Sequence, residues 1–182
     1  MTGARDSLLC RVRCSRIHGT GVFATRPIAR GARIVEYVGE RVSHAEADRR
    51  YADKHVADNH TFLFAVDART VIDAAVGGNE ARFINHSCAP NCEAVVVQRR
   101  VFIEALRDIA VGEELVYDYQ IERAPEDPPG LAEVFGCRCG ALSCRGTMLL
   151  PPPRTRVQRS PAKAARRRRA TRSRAVADRG AR

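Results

Sequence analysis

Short runs of β-branched and aromatic residues, each four to six positions long and ended by glycine, proline or charge, limit what this chain can fold into. They recur at Leu8 to Val12, Gly21 to Ala24, Arg33 to Val38, Thr61 to Val66, Ala94 to Gln98 and Val101 to Ala105. Runs this short read as strands, so the chain is expected to be mainly β with a few short helices. Ala94 to Gln98 and Val101 to Ala105 face each other across Arg99-Arg100 as a hairpin, without the Gly or Asn that two-residue turns favour. Ser43 followed three residues later by Glu46 is a capping box and predicts a polar surface helix over Ser43 to Lys54. A shorter helical turn is expected from Asn79 to Ile84, after Gly77-Gly78. Arg26-Pro-Ile-Ala-Arg-Gly31 is echoed by Arg107-Asp-Ile-Ala-Val-Gly112, each followed by a strand, which reads as reused turn chemistry rather than a duplication.

Charge divides the chain at Leu150. Residues 1–150 carry 19 Lys+Arg against 20 Asp+Glu, whereas the last 32 residues carry a net +11. The excess basicity therefore belongs to a C-terminal segment that opens on Pro151-Pro152-Pro153 and continues in Arg, Ala, Ser and Thr, a composition expected to be disordered. Such an arm neutralises phosphates without reading sequence, so non-specific nucleic acid contact is expected through residues 154–182. The chain holds two lysines, Lys54 and Lys163, against 29 arginines, and Lys163 sits within that arm. No stretch approaches the roughly 20 apolar residues of a membrane span, and the first residues lack a secretory apolar run. A soluble intracellular protein is expected: cytoplasm or nucleoid in a prokaryote, nucleus or chromatin in a eukaryote, with export as an effector a further route.

Seven cysteines are an odd number, and three crowd into Cys137-Arg-Cys139-Gly-Ala-Leu-Ser-Cys144, a spacing that suits thiolate ligation of zinc better than a disulfide framework. Tetrahedral zinc wants a fourth ligand, for which Cys88 and Cys92 are the candidates and His86 the weaker one. Cys10 and Cys14 read as buried structural thiols. Gly19-Thr20-Gly21-Val22-Phe23-Ala24 fits a dinucleotide fingerprint, yet Pro27 and Gly31 follow at once and the next segment alternates as a strand, so no helix is available to meet a pyrophosphate. What survives is a glycine pair that lets backbone approach a ligand closely. Tyr117 and Tyr119 point to one face of a strand, which serves a core pair as well as a channel. Glu114 and Asp118, taken singly, read as solvated or capping acids.

The joint pattern is more specific. Ile17-His-Gly-Thr-Gly-Val-Phe23, Glu36-Tyr-Val-Gly-Glu40, Arg82-Phe-Ile-Asn-His-Ser-Cys88, Glu114-Leu-Val-Tyr-Asp-Tyr119 and Cys137-x-Cys-x4-Cys144-Arg-Gly run in the order of the SET-domain protein-lysine methyltransferases, ending in a post-SET cysteine cluster. Residues 1–16, ahead of the first motif, do not resemble a cysteine-rich pre-SET segment. The resemblance implies several small curved sheets and a pseudoknot-like crossing of the Asn85-His86 and Glu114 to Tyr119 segments. It divides the chain into a SET domain over 1–120, a zinc-binding segment over 121–150 and the arm over 151–182. It also implies that His18, Thr20, Asn85 and His86 contact S-adenosylmethionine with Gly19 and Gly21 allowing the approach, that Phe62 lies by the cofactor, and that Cys88, Cys137, Cys139 and Cys144 hold structural zinc. Tyr119 would be the main catalytic tyrosine and Tyr117 would line the lysine channel.

That chemistry explains the residue types. A free lysine has a pKa near 10.4, so its neutral form costs roughly 4.6 kcal/mol at pH 7. A narrow apolar channel and the cofactor's positive sulfonium both disfavour the ammonium, and tyrosine hydroxyls orient the amine for in-line attack. One residue departs from the pattern: the family often has tyrosine where Phe62 stands. Tyr117, at the position that restricts product size, implies monomethylation first. The expected function is lysine methylation of a histone or another basic, possibly DNA-associated protein, with self-methylation at Lys163 an added possibility. The alternatives are a target outside chromatin, or a catalytically idle SET fold that works as a nucleic-acid-associated binding module.

Overall fold

The computed structural model describes residues 9–52, 61–123 and 127–151. The β-prone runs become short strands: β1 (Cys10–Cys14), β2 (Thr20–Ala24), β3 (Arg33–Tyr37), β4 (Glu40–Val42), β5 (Leu63–Asp67), β6 (Thr70–Asp73), β7 (Asn85–His86), β8 (Cys92–Val97), β9 (Arg100–Ala105) and β10 (Glu114–Tyr117). They assemble into three small sheets, ordered β1-β2-β10-β7, β3-β9-β8 and β4-β6-β5. The core lies between them, built on Val22, Ile72, Ile84, Val101, Ile103, Ile109 and Leu115, all essentially inaccessible. The chain is therefore mainly β with few helices, as its run lengths predict. Contacts divide it after Leu150; Lys54, Lys163 and the arm over 154–182 lie outside the described residues.

Helix α1 (His44–Tyr51) starts where the capping box puts it: Ser43 Oγ accepts the Glu46 N–H at 3.1 Å. The reciprocal half of the box is replaced, because the Glu46 carboxylate faces Arg49 and Arg50. Arg50 also reaches Glu40 at 2.7 Å and the buried Asp73 at 3.1 Å, which pins the helix to β4 and β6. The expected turn at Asn79 to Ile84 forms as a 3-10 turn over Glu80–Phe83, capped by the Asn79 side chain. A short helix α2 (Leu131–Val134) and the strands β4, β6 and β7 were not legible as elements.

The echoed segments pair with each other. Ile28 and Ile109 exchange N–H···O bonds of 2.9 and 2.8 Å, and the glycines reciprocate, with Gly31 N–H on Ala105 O at 2.7 Å and Gly112 N–H on Ala24 O at 2.8 Å. Both glycines sit in the left-handed region, φ 78° and 80°, where a side chain is strained. The repeated turn chemistry thus builds a local two-fold clasp between β2, which feeds one turn, and β10, which leaves the other.

The hairpin closes one residue earlier than its sequence suggests. Val97 pairs with Arg100, so the turn residues are Gln98 and Arg99, both at positive φ (48° and 65°). These angles match the twist of the strands and explain why the turn forms without glycine: Arg99 is held by Thr70 Oγ1 at 2.6 Å and lies 3.5 Å from Asp67, on the neighbouring sheet. Gln98 has no such anchor among the described hydrogen bonds. Gln98→Asn, which tolerates this region, is expected to add about 1 kcal/mol, or about 2–4 °C in the thermal midpoint. Calorimetry showing a lower midpoint would contradict this reading of the turn.

Candidate active site

β7 is two residues long because its partner dictates it. Asn85 and His86 lie parallel to Val116 and Tyr117 of β10, on the edge opposite β2. The chain then stays on that edge: Ser87 N–H donates to Tyr117 O at 3.1 Å and Asn91 N–H to Val116 O at 3.2 Å. Asn91 is buried with every polar group engaged, its amide donating to Glu113 Oε1 and Glu114 O and accepting from Val116 N at 2.9 Å. This clip holds Asn85 to Asn91 along β10 and brings segments some thirty residues apart into one site.

A cleft of about 480 Å³ opens beside this crossing. His18, Gly19, Thr20, Phe62, Asn85, His86 and Tyr119 line it, joined by Phe83, Arg82 and, from the C-terminal segment, Glu133, Val134, Cys137, Arg138 and Met148. Gly19 is at φ 40° with open space before it. Gly21 is different: a Cβ there would sit 2.3 Å from Glu114 Oε1, so this glycine makes room for the carboxylate of Glu114 and does not line the cleft. A second cleft of about 210 Å³ lies on the other side of Tyr119, lined by Phe64, Leu106, Ala94, Glu93, Tyr117 and Tyr119. Tyr119 is shared by both.

The environment of Tyr119 fixes its chemistry. Its hydroxyl donates to Ile84 O at 2.8 Å, its N–H donates to His86 Nδ1 at 3.1 Å, and its ring packs against those of Tyr117 at 4.9 Å and His86 at 5.3 Å. With its proton committed to Ile84, the phenol oxygen keeps lone pairs for an incoming N–H donor. Burial, helped by the nearby charge of Glu114, pushes the Tyr119 hydroxyl well above the ordinary tyrosine range, and burial does the same to Tyr117. Both stay neutral through the physiological range and act as hydrogen-bonding groups rather than bases. Burial also lowers the pKa of His86, against the pull of Asp118 3.5 Å away. Since Nδ1 accepts the Tyr119 N–H, neutral His86 carries its proton on Nε2, which faces Cys88 Sγ at 3.4 Å.

The sulfurs of Cys88, Cys137, Cys139 and Cys144 lie within 4.8 Å of one another, with Cys88 3.8 Å from Cys137 and 4.0 Å from Cys144. Four thiolates around zinc at about 2.3 Å place their sulfurs about 3.8 Å apart, so these residues fit that ion. Backbone N–H groups of Cys139, Arg145 and Gly146 point at Cys137, Cys88 and Cys144, each at 3.4 Å, as thiolates favour. Of the two candidates for the fourth position, Cys88 joins this cluster. Cys92 lies in the core, where burial raises its thiol to about 12. Cys10 is buried as expected, but Cys14, expected to share that burial, is exposed at the end of β1. Zinc here would be structural, since four protein ligands leave no open position.

Asp118 is not a solvated acid. Arg145 grips it with two bonds of 2.7 and 2.9 Å, joining the thiol cluster to the residue next to Tyr119. Burial opposes its charge, but Arg145 and the Gln120 N–H hold the carboxyl below the usual range. Arg145→Ala leaves that charge unpaired, and is expected to cost about 2 kcal/mol, or about 4–8 °C, given the partial exposure of the pair. Arg145→Lys should recover less than half, since a single ammonium cannot reproduce the fork. Equal midpoints for all three proteins would remove this link.

Two clefts thus share one half-buried tyrosine, Tyr119, and the thiol cluster contributes Cys137 to the wall of the larger one. The comparisons name the family. The family model described as "SET domain" matches residues 19–120. Relatives called "Histone-lysine N-methyltransferase, H3 lysine-4 specific" are 45% identical in Saccharomyces cerevisiae and 43% in Schizosaccharomyces pombe and Candida albicans, over 72% of this chain. The chain belongs to the SET-domain family. It spans 12 to 14% of the length of those relatives.

Sequence reasoning missed Arg82 on the wall of the larger cleft, and Glu93 and Leu106 on that of the smaller one. Arg82 lay within a quoted motif and packs over Phe83 at 4.7 Å, a sign available only once the rings are placed. Nothing in the periodicity marks the others.

Proposed function

We propose that this chain is an S-adenosylmethionine-dependent protein-lysine N-methyltransferase. The observation that carries the proposal is Tyr119, placed between two clefts with its oxygen oriented by Ile84. In this reading His18, Gly19, Thr20, Phe62, Asn85 and His86 hold the cofactor in the larger cleft. Gly21 acts from behind, by admitting Glu114. The target lysine enters from the smaller cleft past Tyr117, and the Tyr119 oxygen accepts an amine N–H, turning the lone pair toward the methyl group. The methyl carbon then exchanges its bond to sulfur for one to nitrogen, and the amine proton leaves to solvent. Cys88, Cys137, Cys139 and Cys144 hold zinc, which keeps Glu133 to Met148 against the cofactor.

The activity for which those relatives are named supports a histone H3 tail as substrate, with action on chromatin in a nucleus. Binding of nucleic acid by residues 154–182 and self-methylation at Lys163 would extend that reading and fall outside the described residues. The alternative of an idle binding module is disfavoured because Asn85, His86 and Tyr119 line one cleft, with the Tyr119 N–H bonded to His86 and the Asn85 amide held by Glu114. Among the described residues no helix is long and apolar enough to cross a membrane.

With Tyr117 and Tyr119 neutral, neither tyrosine supplies a base, and in this reading the lysine loses its own proton to solvent. kcat/KM is expected to rise about tenfold per pH unit between about pH 7 and 9, following the free amine toward its pKa near 10.4. Initial rates on a lysine peptide check this, and a profile flat across that range would contradict it. Mass spectrometry is expected to show chiefly monomethyl product, because Tyr117 narrows the smaller cleft through which the lysine enters in this reading.

A further inference from the structure

The crossing contains a carboxylate that the catalytic account does not use. Glu114 Oε1 accepts the Ser15 hydroxyl at 2.7 Å and the Asn85 amide N–H at 2.9 Å, and the same Asn85 nitrogen faces Thr20 O at 2.9 Å and His18 O at 3.3 Å. Every neighbour of that nitrogen is an acceptor, so the amide has one satisfied orientation, and Asn85 Oδ1 is directed away from them. Asn85 lines the larger cleft, as do His18 and Thr20, whose carbonyls complete the ring. The main chain makes room for this contact at Gly21, where any Cβ would collide with the carboxylate.

We infer that Glu114 is the positioning residue of the cofactor site: it locks the Asn85 amide so that a carbonyl oxygen, never the NH2, meets the donor groups of the bound cofactor, and ties that lock to the turn after β1 through Ser15. The inference rests on the larger cleft being the S-adenosylmethionine site. Glu114 acts through hydrogen bonds and reach; its net charge is incidental. A glutamine supplies an oxygen of the same reach to the same two donors. An aspartate keeps the charge but falls short by one methylene, and a leucine offers no acceptor.

Isothermal titration of S-adenosylmethionine into the full chain separates these. Relative to wild type, Glu114→Leu and Glu114→Asp are expected to raise the cofactor Kd about 10- to 100-fold, the range expected when two hydrogen bonds are lost together. Glu114→Gln should restore it to within about threefold of wild type. In an Asn85→Ala background, Glu114→Asp should add nothing further, because the residue it acts through is gone. Glu114→Asp serves if Glu114→Leu fails to fold. A Glu114→Gln protein as weak as Glu114→Asp, or additive effects of Asn85→Ala and Glu114→Asp, would overturn the inference. No heat from wild type with the cofactor would instead overturn the cofactor-site reading on which it rests.

Discussion

Tyr119→Phe is expected to lower kcat about 100- to 1000-fold, the range seen when one preorganised hydrogen-bonding group at a reacting centre is removed. Phenylalanine keeps the ring packed on Tyr117 and His86, and the backbone N–H bond to His86 Nδ1 is untouched. What disappears is an oxygen whose proton is fixed on Ile84 O, and with it the acceptor proposed to aim the amine. The vacated Ile84 carbonyl loses one partner, a stability cost of about 1–2 kcal/mol. The variant should therefore fold and bind S-adenosylmethionine with near-wild-type Kd. Single-turnover rates with cofactor and lysine peptide in excess measure the effect; a rate within about threefold of wild type would place the aiming group elsewhere.

The second large effect concerns the thiol cluster. Chelation of zinc is expected to remove activity altogether, although no step of methyl transfer passes through the metal. The segment 131–150 carries little apolar core of its own: α2 has no buried residue, and Leu149 and Met148 are its main inward side chains. Among its described ties to the rest of the chain are the Arg145–Asp118 fork and the Leu150 N–H on Ile121 O at 2.8 Å. Metal binding of this kind supplies folding free energy on the order of 10 kcal/mol, far more than those ties. Without it Glu133, Val134, Cys137, Arg138 and Met148, which line the larger cleft, are expected to leave its wall. Hydrogen exchange should show protection lost across 131–150 and retained in β8 and β9, with protection and activity both returning on zinc addition. Full turnover by zinc-free protein would refute this role.

How far the sequence anticipates these features depends on the range of the interaction. The strands β2, β3, β5, β8 and β9 were visible because each carries its own run of β-branched and aromatic residues, and the start of α1 because Ser43 caps it locally. β6 escaped notice because Thr70 to Asp73 is buried at all four positions, so no alternation marks it. β7 is invisible in principle: two polar residues become a strand only because β10 lies alongside. The hairpin was misplaced by one residue because its turn is held by Thr70, from another sheet.

The site shows the same division. Periodicity alone would have made Tyr117 and Tyr119 a core pair and Glu114 and Asp118 solvated acids. Only the motifs read together point the tyrosines to a channel, and only the fold gives the acids their partners, Asn85 and Ser15 for one and Arg145 for the other. The reading of Gly21 changed for the same reason. Its missing side chain was visible, but that the freed space belongs to a carboxylate 93 positions along the chain was not.

The measurement that bears most directly on the central claim is mass spectrometry of a histone H3 tail peptide incubated with this chain and methyl-labelled S-adenosylmethionine, beside the same reaction with Tyr119→Phe. The account predicts label on a lysine side chain with wild type and almost none with the variant. Absence of label from that peptide and from a panel of basic proteins, by a folded chain that binds the cofactor, would contradict it.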